Sequence, residues 1–204
     1  MRLVACILAV AVSSVSAFGA TQVIYSSFGP GDSFSNDGAA GIGGTASFRG
    51  FQSVANAFTV SGGDFQLGKI EVATVWDSGT NSLVVSVAAD NAGIPGTTIE
   101  SFSLSGLMTG EPGSIVSMTS TLHPLLSNGS SYWVVLEAGA EDASAAWCDS
   151  LLSVEGTHAW DEGNGWQSVT SKPQAFRVTA VPEPATMSLL ALGGLAALIR
   201  RRKA

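Results

Sequence analysis

Apolar residues along this chain recur mainly at every second position, in short runs separated by glycine-rich turns. Gln22 to Ser27 (QVIYSS) alternates, and so does Gln174 to Val181 (QAFRVTAV), the pattern of a half-buried strand. Between them, strands are expected over Phe51 to Val60, Phe65 to Trp76, Ser82 to Ala89, Ile99 to Leu104, Ser114 to Thr121 and Ser130 to Glu137. In the second of these, Leu67, Ile70, Val72 and Val75 break a strict period of two, which predicts a bulge near Gly68. SSYWVVLE, Ser130 to Glu137, is the most apolar run and is expected at the centre of a sheet. Asp161 to Gly165 (DEGNG), flanked by Trp160 and Trp166, reads as a hairpin turn. Gly29 to Gly50, rich in Gly, Ser, Asn and Asp, reads as a long loop. No stretch of 18–181 carries a convincing amphipathic helical period. Many short strands with glycine turns predict an all-β fold, a jelly-roll-like β-sandwich.

The two ends break this pattern. Met1-Arg2, the apolar run Leu3 to Val12 and the small residues Val15-Ser16-Ala17 make a secretory leader, 1–17. At the other end, 181–204 opens with Pro182-Glu183-Pro184, where each proline lacks an N–H and restricts the residue before it. An uncharged apolar run follows from Ala185 to Ile199, then Arg200, Arg201, Arg202 and Lys203. As a transmembrane helix those fifteen residues span about 22 Å, short of the ~30 Å hydrocarbon core. Snorkelling arginines and a thinned bilayer make up the difference, and the cations hold the end in the cytoplasm. This leaves 18–180 as the β-sandwich domain.

Without the two ends, 15 acidic and 4 basic side chains remain, a net charge of 4 − 15 = −11. Such a surface repels nucleic acid. Cys6 departs with the leader, so Cys148 stands alone without a disulfide partner, and Trp147 beside it favours a buried thiol. The chain has no Gly-x-Ser-x-Gly elbow, His-Glu-x-x-His or Cys-x-x-Cys. His123 precedes a proline in a connection; His158 lies near Asp161, which with one of the many serines would make a Ser–His–Asp set. The carboxylate neighbours Glu141-Asp142 and Asp161-Glu162 read as solvated turns, since glycosidase carboxyls must face each other across a gap. Asp32, Asn36 and Asp37 lack the ligand order of a calcium loop. No cofactor, metal or catalytic residue is expected.

The ordered Pro-Glu-Pro, apolar run and arginine block resemble the PEP-CTERM signal of Gram-negative envelope proteins. That resemblance implies processing by exosortase near Pro182, Glu183 and Pro184, after transient insertion in the inner membrane, with Arg200, Arg201 and Arg202 completing the sorting motif. It implies delivery to the cell surface or the exopolysaccharide matrix. The strand order from Phe58-Thr59-Val60 through Pro95-Gly96 to the Gly129 turn, Tyr132-Trp133 and Trp147 is similar to the choice-of-anchor R type of bacterial surface domain, which implies no catalytic residues. The expectation is a non-enzymatic exported protein with a structural or adhesive role in a biofilm matrix. A second reading is a carbohydrate-binding module using Trp160, Trp166, Asp161 and Asn164, since aromatic faces stack on sugar rings. A small hydrolase is the third.

Overall fold

The computed structural model describes residues 22–181. The leader 1–17 and the sorting residues from Pro182 onward, including Arg200 to Arg202, lie outside the described residues. Among the described residues thirteen strands follow one another: β1 (Val23–Ser26), β2 (Phe34–Gly43), β3 (Ser53–Thr59), β4 (Phe65–Ser78), β5 (Ser82–Asp90), β6 (Pro95–Ser105) and β7 (Ser114–Thr119). After them come β8 (Leu125–Leu126), β9 (Ser131–Ala138), β10 (Ser144–Ser150), β11 (Gly156–Asp161), β12 (Gln167–Ser171) and β13 (Phe176–Ala180). Among the described residues there is no α-helix, only a 3-10 turn at Pro30–Asp32.

Two antiparallel sheets form the expected sandwich. One runs β12-β11-β3-β9-β5-β6; in the other, β1-β13-β4-β10-β2 is joined by β7 and β8, which pair with β4. The chain crosses between sheets at most connections, the wrapping of a jelly roll. β4 is long enough to be shared: β13 pairs with Leu67–Val72 and β10 with Thr74–Ser78 along one flank, while β7 takes Lys69–Thr74 on the other. β9 lies between β3 and β5, the central position its apolar sequence predicts. The register steps by one extra residue at Gly68, where Ala180 pairs with Leu67 and Thr179 with Lys69. Glycine is required there because a Cβ would come within 2.5 Å of the Ala180 carbonyl.

Alternate residues of each sheet meet in one core containing Val54, Phe58, Ile70, Val72, Val85, Val87, Leu136, Trp147 and Phe176. Phe176 is the hub, stacked on Tyr25 at 4.7 Å between ring centroids and edge-on to Trp147 at 5.7 Å. Such pairs are worth ~0.5–1.5 kcal/mol beyond the area they bury.

Each open side of the sandwich is closed by polar chemistry. On the β6–β7 side Glu100, 4% exposed, accepts hydrogen bonds from Ser120 Oγ (2.6 Å), Thr121 N–H (2.8 Å) and Leu122 N–H (3.2 Å). Burial alone pushes this carboxyl up, but the donors outweigh it and hold it below the ordinary value. Across the molecule, Asn56 Nδ2 donates to Gln174 Oε1 (2.8 Å) and ties β3 to the segment that leads into β13.

The stretch Gly29 to Gly50 is not the long loop expected. Phe34–Gly43 is a strand, paired at both its ends with β10 across an unpaired stretch at 36–39, and the β10 residues Ser144–Ser150 gave no strand pattern. The pairing rests on backbone hydrogen bonds between small residues, so side-chain alternation does not report it.

Candidate functional site

The β11–β12 hairpin carries the four residues expected to bind a ligand, and its register separates them. Trp160 pairs with both Val54 and Gln167, which places it on the face that looks into the sandwich. There its ring lies 6.0 Å from that of His158, nearly parallel. Trp166 is one residue off the Trp160 partner and falls on the opposite face. It packs against the cluster of Ala55, Ala88, Trp133, Val135 and Ala159 on the outside of the six-stranded sheet. The two indoles therefore share no platform. Asp161 Oδ1 accepts the N–H groups of Gly163 (2.7 Å) and Gly165 (3.0 Å), so the carboxylate shapes the turn. Asn164 is exposed at the tip.

Behind Trp160 lies a network that no sequence motif announces. Gln174 Nε2 donates to Asp149 Oδ1 at 3.1 Å, which fixes the amide so that Oε1 points the other way. That oxygen accepts from Asn56 and from His158 Nδ1, the latter at 2.8 Å. His158 therefore carries its proton on Nδ1 when neutral. Burial lowers its pKa, against smaller opposing effects of Gln174 and the Asp149 charge. Burial raises that of Asp149, partly offset by Gln174, Lys172 and His158. The available signal was Asn56, a polar residue at an inward position between Val54 and Phe58.

The catalytic alternatives are not assembled. Among the described residues no serine hydroxyl bonds to His158, and Asp161 faces away from it. His123 sits in a turn with φ 46°, its Nδ1 3.0 Å from the Leu67 carbonyl oxygen to which it donates. Cys148 faces the outside of the other sheet among Phe28, Ala73, Val75 and Ala175. Burial, with the charges of Glu111 and Asp149 adding to it, pushes the thiol up to about 12. Asp142 accepts the Thr80 N–H at 3.1 Å, and Glu141 and Glu162 are exposed. Asp32 pairs with Arg177, and Asn36 and Asp37 lie within β2 rather than in a turn. Among the described residues no group of three or more His, Cys, Asp or Glu is placed to hold a metal ion.

Residues 180–203 match the family model of the PEP-CTERM protein-sorting motif. The motif marks the chain for export and cell-surface sorting, with exosortase as its processing partner. No curated protein matches the chain. Among solved structures it is similar to the cysteine protease and lectin-like domains of Cwp84, a surface layer associated protein of Clostridium difficile, at 15% identity and a TM-score of 0.44. That alignment covers 64% of this chain and 32% of the other, so the chain spans about a third of its length. No helix among the described residues is long and apolar enough to cross a membrane, and the apolar run Ala185 to Ile199 lies outside them.

Proposed function

We propose that the chain is a non-enzymatic adhesive or structural protein of the cell surface or exopolysaccharide matrix, delivered as a finished sandwich and released from its tail by exosortase near Pro182-Glu183-Pro184. The observation that carries this is where the fold stops. β13 ends at Ala180, the Val181 N–H still bonds to Gln66 O (2.9 Å), and the motif's Pro-Glu-Pro begins at the next residue. A cut there leaves every described strand, core residue and ladder hydrogen bond in place. The choice-of-anchor resemblance fits the same role. The absence of an assembled nucleophile around His158, together with the raised Cys148 thiol, supports a non-catalytic reading over the hydrolase. Transit through the inner membrane on the Ala185–Ile199 run belongs to this proposal.

The test is the mass of the protein recovered from the cell surface of a host with and without exosortase. A form ending near residue 182 that depends on exosortase is the expected result, and replacing Arg200, Arg201 and Arg202 with alanine abolishes it. Intact chain in the cytosol, basic end attached, refutes it.

A further inference from the structure

We propose that the end of the sandwich opposite Val181 holds a saccharide-binding cleft, formed between the 44–51 loop and the β9–β10 turn, that takes neutral sugars. The inference deepens the adhesive reading above and rests on it. Chain direction fixes the geometry: Gln22 and Val181 lie at the end where β4 begins, and the cleft lies where β4 ends.

The cleft encloses about 350 Å³, at the small end of ligand sites, which run from ~300 to 1,000 Å³. That is room for a monosaccharide or disaccharide unit. Its apolar wall is Phe51, 40% exposed, whose ring lies beside Gly163 of the hairpin turn, and Val84 also lines it. An accessible aromatic ring in a shallow site is the feature whose face stacks on the CH groups of a sugar. Glu137 and Glu141 supply carboxylates to the rim. Both side chains are exposed; Glu141 accepts the Ala46 N–H through its backbone carbonyl, and among the described residues neither carboxylate has a hydrogen-bond or ion-pair partner, which leaves both to accept hydroxyl protons.

The floor is held rigid. A Cβ at Gly44 would meet the carbonyl oxygens of Ala140 and Glu141 at 2.3 Å, so the loop and the turn are locked together before anything binds. Charge then selects the occupant. Arg49, the cation on this loop, is committed to Asp77 at 2.8 Å. The rim is left acidic and disfavours uronate or sulfated sugars.

The experiment titrates the full chain, in a zwitterionic detergent, with three neutral hexasaccharides and one anionic control by calorimetry. The neutral probes are β-1,4-glucose, β-1,3-glucose and β-1,4-N-acetylglucosamine hexamers; the control is an oligoguluronate. At least one neutral probe binds, Phe51→Ala weakens it about tenfold, and Glu137→Gln and Glu141→Gln each weaken it severalfold. Leu125→Ser, at the other end, leaves affinity unchanged. Binding of none of the neutral probes overturns the cleft. So does equal affinity in Phe51→Ala, or tighter binding of the oligoguluronate. In each case exosortase-dependent delivery still stands or falls on the mass measurement alone.

Discussion

Replacing Glu100 with glutamine isolates what a single buried charge contributes to this sandwich. Glu100 sits on β6, at the edge of one sheet, and receives donors from the connection that leaves β7, at the edge of the other. Glutamine keeps the shape. Its oxygen takes over the N–H groups of Thr121 and Leu122, and its amide donates to Ser120 Oγ, which already accepts from His123 N–H at 2.9 Å. What is lost is the charge on the acceptor. Hydrogen bonds to a charged group contribute ~1.5–3 kcal/mol and neutral ones ~0.5–1.5. Over three bonds with some strain shared among them, Glu100→Gln is expected to cost about 2 kcal/mol, a large share of a ~5–15 kcal/mol total. The pH dependence supplies a second readout. Because the folded pKa lies below the ordinary 4.5, the unfolded state binds the proton first as pH drops. The stabilisation is therefore complete above the ordinary value and disappears as pH falls through the folded one. Urea unfolding at pH 7 and pH 3 tests both, at constant m-value. A difference under about 0.5 kcal/mol at pH 7, or one that persists undiminished at pH 3, refutes the reasoning.

Gln174→Leu strips the acceptor from Asn56 and His158 and the donor from Asp149; it should cost ~3–5 kcal/mol. It should also move the His158 titration, followed by NMR, to still lower pH, since the Gln174 bond is what raises it. Cys148, buried with its thiol pushed up to about 12, should resist Ellman's reagent at pH 8 in the native chain and react fully in guanidinium. Gly68→Val drives a Cβ into the Ala180 carbonyl and should cost ~1–3 kcal/mol, with faster hydrogen exchange at the Ala180 and Val181 amides before the rest of the sheet.

The strands legible in the sequence were those whose side chains alternate against a core. The bulge at Gly68 and the central place of Tyr132 to Leu136 were legible for the same reason. β2 and β10 were not. SAAWCDS and FSNDGAAGIG pair through their backbones with few large side chains to mark a face, so composition argues for turns where the ladder makes strands. The hairpin was legible as a turn, but its register was not. Whether Trp160 faces Gln167 or a neighbour decides which side each indole takes, and a five-residue turn allows more than one pairing. The Asn56–Gln174–His158 network joins residues more than a hundred positions apart, a distance no local pattern spans. The cleft was hidden likewise, because Phe51 and Glu137 meet only once the sheet is formed.

The last strand is hydrogen-bonded on both sides, to β1 and to β4, and the chain leaves from its end. A pull applied at Val181 against a grip on the far end of the molecule is directed along that strand rather than across it. Both rows of bonds must then slide together, so the load is spread over many at once instead of opening them in turn. By this layout the last strand is a mechanical clamp, strongest against a load applied along its own length.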